Sequence, residues 1–257
     1  MIRRTDDNFV EGRAAMQIDI RYQPSYSLAI LRLEQNEAIQ AEAGAMVSMT
    51  ANMTVDTTMK GGVLGALTRT VLGGETLFAN TFRAEGGPGE ITLAPALPGD
   101  VNSVQMRGET LLIQSGSFLA GDPGIQLDLK WGGARAFFGS EGLFLLRATG
   151  TGPVLLSSYG AIHKITLDGR APYLCDTGHV VAFGAGLTYE VRRVGGWKST
   201  LLSGEGFVCE FRGTGDLYMQ TRSTQAFLSW LIPRIPGRTG GGGGVGSGVL
   251  GNILRGD

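Results

Sequence analysis

Apolar and polar positions alternate along this chain in short runs separated by glycine. Ile125, Leu127 and Leu129 alternate with Gln126, Asp128 and Lys130. That period of two turns one face of a strand toward a core and the other toward water. Met53 and Val55 against Thr54 and Asp56 follow the same rule, as do Tyr189 and Val191 against Glu190 and Arg192. Near the N-terminus Ile18, Ile20 and Tyr22 alternate with Gln17, Asp19 and Arg21 as a first strand stopped by Pro24, and Tyr26 to Leu33 makes a second. Two stretches keep helical spacing instead. Val63, Leu64, Leu67, Val71 and Leu72 do so within 61–74, and TQAFLSWLIP does so at 224–233, closed by Pro233. The pattern predicts an all-β protein with short helices near 63–72 and 224–232, and Trp230 is expected to pack on the body.

The runs repeat. A first part reads AIQAEAGAMVSMTANMTVDTTMKGG at 38–62, ETLLIQSGSFLAGDPGIQLDLKWGG at 109–133 and APYLCDTGHVVAFGAGLTYEVRRVGG from Ala171. Its turn glycines are Gly44, Gly116 and Gly178, and a Gly-Gly follows 17, 16 and 17 positions later at Gly61, Gly132 and Gly195. A Glu then opens each second part, at Glu75, Glu141 and Glu205, with an apolar pair two residues on. Three landmarks in register three times define an internal repeat, over about 38–97, 108–158 and 171–222. Each half-unit reads as a β-hairpin turned at glycine, and 157–170 reads as one more hairpin. One hairpin is marginal alone in water, so the expectation is a single β domain, 16–236, in which three double hairpins share a core. Residues 1–15 are polar and patternless and are expected to be a disordered extension, and the glycine-rich 237–257 is expected to be a flexible tail.

Composition narrows the function classes. Net charge is −1 and the isoelectric point is about 6.2, so the chain lacks the basic footprint of a nucleic-acid binder. Cys175 and Cys209 are the only cysteines, too few for a disulfide framework and suited to a reducing compartment. No apolar run approaches the ~20 residues of a membrane span, and the first 15 residues hold no hydrophobic signal core. The expected location is the cytoplasm.

Candidate chemistry is sparse. Asp176-Thr177-Gly178 is the tripeptide of aspartic proteases, which need two such carboxylates sharing a proton. The repeat places Glu42-Ala43-Gly44 and Gln114-Ser115-Gly116 at the same position, and a Gln cannot replace a catalytic carboxylate. The common feature is a side-chain oxygen able to hold a turn. Cys175 and His179, four apart across that turn, could begin a zinc site if other ligands completed a tetrahedron; satisfied structural residues are the alternative. Glu75, Glu141 and Glu205 could converge on a pseudo-threefold axis around a cation, or each could fix a backbone amide. GGWKST at 195–200 lacks the Gly-Lys-Ser/Thr of a phosphate loop. These residues nominate no catalytic group and no cofactor.

Several long strings, among them PSYSLAILRLEQNEAIQAEAGAMV, FLLRATGTGPVLLSSYGAI, DTGHVVAF and YEVRRVGGWKSTLLSGEGFVCEF, resemble the mitochondrial biogenesis (altered inheritance of mitochondria) family over about Met16 to Pro233. The resemblance implies a fold similar to the trp RNA-binding attenuation protein, a β-sandwich or double-sided β-helix, often built as a trimer. It supplies no catalytic residues. The expectation is a non-enzymatic, homo-oligomeric scaffold or interaction module with a protein partner. Two alternatives stand beside it. One is a protein of the membrane surface, attached weakly through 61–74 or the tail, although the first of these could equally cap an open end of the β body. The other is a small-molecule or metal-binding enzyme using the glutamates or the Cys175–His179 pair.

Overall fold

The alternating runs become strands in the computed structural model, which describes residues 16–56, 79–128, 144–193 and 207–235. β1 (Gln17–Arg21) precedes a first set: β2 (Leu28–Leu33), β3 (Ala38–Glu42), β4 (Met46–Met49), β5 (Met53–Asp56), β6 (Ala79–Ala84) and β7 (Gly89–Leu93). The second set is β8 (Val101–Arg107), β9 (Leu111–Gln114), β10 (Phe118–Gly121), β11 (Ile125–Asp128) and the long β12 (Leu145–Ser157). The third is β13 (Ile162–Asp168), β14 (Tyr173–Asp176), β15 (Val180–Gly184), β16 (Leu187–Arg193) and the long β17 (Phe207–Gln220). A helix, α1 (Thr224–Leu231), follows, capped by the Ser223 hydroxyl accepting from the Ala226 amide.

All three sets pair by one antiparallel scheme. β9 and β11 flank the first half of β12, and β8 and β10 flank its second half. β14 and β16 flank the first half of β17, and β13 and β15 its second half. In the first set two strands stand where the others have one: β3 and β5 flank β6, while β2 and β4 flank β7. The interruption there is Gly86-Gly87-Pro88, and proline brings no N–H to a ladder. In β12 and β17 the same place is held by Gly150-Thr-Gly152 and Gly213-Thr-Gly215, all four glycines at positive φ. These glycines bend the long strand from one sheet into the next.

Each set is thus two small sheets around one core, and three apolar clusters result. Leu31, Ile39, Phe82 and Leu93 lie in the first, Ile113, Phe118, Leu146 and Leu156 in the second, and Phe183, Cys209, Phe211 and Leu217 in the third. The sets also join in series. β10 pairs with β3 of the first set, and β15 pairs with β9 of the second. Each junction fuses two three-stranded sheets into one of six.

The hairpin expectation needs correction. The strands on either side of Gly44, Gly116 and Gly178 do not pair with one another; the turn carries the chain from one sheet of its set to the other. Period two sees which face is buried but not which neighbour a strand chooses. Residues 157–170 likewise form no hairpin: after Ser157, the last residue of β12, they contain one strand, β13, which opens the third set by pairing with β17. Trp230 does not pack on the body. It is exposed, stacked on Phe227 and under the Arg234 guanidinium, while Phe227 meets Tyr159 edge-on. The helix expected near 63–72, like the extension and the tail, lies outside the described residues.

Candidate functional site

The turn that carries Asp176 and His179 is the densest polar cluster among the residues the sequence singled out. Asp176 ends β14, and a 3-10 turn, Thr177–His179, leads into β15. The Asp176 carboxylate accepts the Gly178 amide at 2.8 Å, so it holds the turn as a short side chain can. The Thr177 hydroxyl donates to the Phe207 carbonyl at 3.1 Å. His179 donates from Nδ1 to the Gln220 carbonyl at 2.6 Å, and Gln220 returns its amide to the Gly178 carbonyl at 2.8 Å. Gln220 also accepts the Tyr159 amide at 2.9 Å. The turn is therefore stapled to both ends of β17 and to the segment leading into β13.

The second set builds its turn with other atoms. There Gln114 accepts the Ser117 hydroxyl at 3.0 Å, and the Ser115 amide donates to the Phe144 carbonyl at 2.8 Å. Gln114 and Asp176 thus both place a side-chain oxygen inside their turn, Gln114 on a hydroxyl and Asp176 on a backbone amide.

Cys175 and His179 are turned to separate tasks. The Cys175 thiol is buried in the third core and donates to the Asp176 carbonyl at 3.3 Å. Burial, helped by the neighbouring Asp176 charge, pushes that thiol up to about 12 from an ordinary 9.0. A thiolate, the form that binds metal or attacks a substrate, is disfavoured there. Cys175 stands directly opposite Cys209 in the β14–β17 ladder, and both are buried. Among the described residues, no group of three or more His, Cys, Asp or Glu side chains could hold a metal ion. Glu75, Glu141 and Glu205 lie outside the described residues.

Two acidic hubs escaped the sequence reading. Asp100 is buried, and its Oδ1 accepts from the Gln23 amide at 3.1 Å, the Ser27 hydroxyl at 2.9 Å and the Val101 amide at 2.9 Å. Its Oδ2 accepts the Ile162 amide at 3.4 Å. One carboxylate thereby ties together the entries of β2, β8 and β13. Only its place after Pro98-Gly99 hinted at a turn. Glu210 is the other: its buried carboxylate meets Arg192 at 2.7 Å and also Arg212, both of them largely exposed. Alternation on β17 would have assigned Glu210 to solvent; two arginines reaching over the sheet surface cover it instead.

Large apolar side chains on strands provide the other candidate surface. Met46, Val47 and Met49 of β4 are exposed, as are Tyr173 and Leu174 of β14. Both strands lie at sheet edges: β4 pairs only with β7, and β14 only with β17, among the described residues. No described helix is long and apolar enough to cross a membrane.

Comparison with known proteins covers most of the chain. The family model described as mitochondrial biogenesis AIM24 matches residues 18–222. An uncharacterised protein of Streptococcus pyogenes serotype M6 is 30% identical over 239 residues, spanning 90% of this chain and 95% of its own. A crystal structure of a Streptococcus pyogenes protein superposes with a TM-score of 0.70 at 30% identity, covering 86% of this chain and all of that one.

Proposed function

The chain belongs to the mitochondrial biogenesis AIM24 family, and from that premise we propose that it works without catalysis, as an oligomeric scaffold or interaction module. The observation that carries this reading is the pair of apolar sheet edges, β4 with Met46, Val47 and Met49 outward, and β14 with Tyr173 and Leu174 outward. Soluble proteins blunt open strand edges with charge, proline or a covering element, and these two edges present methionine, valine, leucine and tyrosine. An exposed apolar surface of this kind marks a binding site. The polar residues that first suggested chemistry support the same reading, because Asp176, Thr177 and His179 hold the backbone of one turn.

Size-exclusion chromatography with light scattering tests it. The full chain is expected at a multiple of 27.1 kDa, with the assembled fraction rising with concentration. A single chain at every concentration, with no protein retained on an immobilised copy, would remove the scaffold reading.

A further inference from the structure

The three sets follow one plan, so the buried members of the series show what is missing at the exposed ones. Position by position from the turn glycine, Val47 of β4 corresponds to Leu119 of β10 and Val181 of β15. Leu119 and Val181 are 0% exposed, and Val47 is 58% exposed. Met46 corresponds to Phe118 and Val180, both buried, yet Met46 is open to solvent. All three strands carry the same irregularity against their own last strand, between Met46 and Ser48, Phe118 and Ala120, and Val180 and Ala182. The strand is therefore built alike in each set. What differs is the neighbour on its far side.

That neighbour is known twice over. β10 lies against β3 of the preceding set and β15 lies against β9. In both junctions the residue four after one turn glycine faces the residue three before the other: Ala120 faces Ala41, and Ala182 faces Ile113. The series has two loose ends. β4 lacks a strand of the β3 type, and β14 lacks a strand of the β10 type, among the described residues. The complementary exposure appears on β14 as well: Leu174 is 51% exposed, whereas Leu112, its counterpart on β9, is 4% exposed.

We propose that β4 of one copy of this chain pairs with β14 of a second copy, head to tail, with Ser48 facing Cys175 and Met49 facing Leu174. The register is the one that both internal junctions use. The occupant is a second copy because the two loose edges belong to opposite ends of the first-second-third series, and the chain leaves them unpaired with each other. Pairing would fuse the sheet of β1, β2, β7 and β4 with that of β14, β17 and β16, as each internal junction already fuses two sheets. It would bury Val47 as Leu119 and Val181 are buried. Such a contact joins two different surfaces, so it propagates into a ring if the rotation closes and into a filament if it does not. The proposal rests on the scaffold reading and names its interface.

The test is a mixing experiment on the full chain. Copies carrying Met49→Cys are combined with copies carrying Leu174→Cys and oxidised with copper phenanthroline. The expected result is a disulfide-linked pair of chains on a non-reducing gel, formed in the mixture and absent from either variant alone. Val47→Lys, a change at a position open to solvent in the single chain, is expected to reduce the mass in light scattering to that of one chain with unchanged circular dichroism. If the mixture yields no linked pair while the doubly substituted chain Met49→Cys/Leu174→Cys closes within itself, the edges meet in one molecule and the proposal is overturned. If Val47→Lys keeps the parental mass and the mixture does not link, another surface holds the assembly; this interface is then wrong and the scaffold reading stands. A parent chain that is single at all concentrations removes both.

Discussion

Gly150→Ala probes the bend on which the common plan depends. Gly150 sits at φ +123, where a side chain is strained whatever the space. A β-carbon there would also lie 2.1 Å from the Gly124 carbonyl oxygen, a backbone atom that cannot rotate away. Gly44 offers a control within the same molecule: its φ is +85, and nothing lies within 4 Å of an added β-carbon. The dihedral penalty alone costs about 1–2 kcal/mol, and forcing atoms apart in a packed region adds about 1–3 kcal/mol. For a chain of this size each kcal/mol lowers the melting temperature by about 2–4 °C. Gly44→Ala should then melt about 2–8 °C below the parent, and Gly150→Ala about 4–20 °C below it. Thermal unfolding followed by circular dichroism at one scan rate measures the gap between the two variants. Equal melting temperatures would show that the close approach of Gly124 to the bend does not shape the strand, and the argument for bending glycines would fail. Gly213, at φ +101 and 2.4 Å from the Gly186 oxygen, should behave as Gly150 does.

The remaining expectations concern the buried polar groups. Cys175, pushed up to about 12 by burial, should resist iodoacetamide at pH 8 in the native chain and react in urea, as peptide mass spectrometry would show; rapid native labelling contradicts its burial. Between pH about 9 and about 12 the folded chain keeps that proton and the unfolded chain gives it up. The thiol's contribution is therefore intact below pH 9 and lost as pH rises, by about 1.4 kcal/mol per unit. Cys175→Ala should flatten that fall in urea titrations, and an equally steep fall would assign it to other groups. Asp100→Ala strands the buried Ser27 hydroxyl and the Val101 amide, each worth about 1–3 kcal/mol. It should lower the melting temperature and speed amide exchange at Val101, and parental exchange there would deny the hub. Glu210→Gln should cost only about 1 kcal/mol, because both arginines are largely exposed. The difference from the parent should shrink in high salt, and a salt-independent difference would point to packing instead.

Period-two alternation was enough to place strands at Met53–Asp56, Ile125–Asp128 and Leu187–Arg193, because the pleat is local; it misplaced Val55, which is 41% exposed although alternation with Thr54 and Asp56 set it against the core. Pairing is not local. Leu111–Gln114 and Phe118–Gly121 look like the arms of a hairpin around Gly116, yet each lies against a different half of β12. Deciding between those neighbours requires the bend in β12, and its mark in the sequence is Gly-Thr-Gly at 150–152, repeated at 213–215. A second spaced glycine pair inside an apolar strand is the signal by which that bend can be recognised. The Asp176 turn was legible because comparing Glu42, Gln114 and Asp176 pointed to a side-chain oxygen that holds a turn, and Asp176 accepts the Gly178 amide. Asp100 and Glu210 were not, since one is buried by contacts from residues as far apart as Gln23 and Ile162 and the other by arginines from two strands.

The same comparison explains why exposure on β4 carries meaning. Met46, Val47 and Met49 are as apolar as Phe118, Leu119, Val180 and Val181, so composition alone would bury all of them. A residue placed at an edge to keep the chain single would be charged or proline, as edges that avoid pairing are. β4 carries neither between Met46 and Met49. The strand keeps the side chains of a covered strand while no other described strand of its own chain covers its far edge. An uncovered apolar edge is a liability to a single chain and an asset to an assembly, and the buried equivalents in the second and third sets define the geometry such an assembly would use.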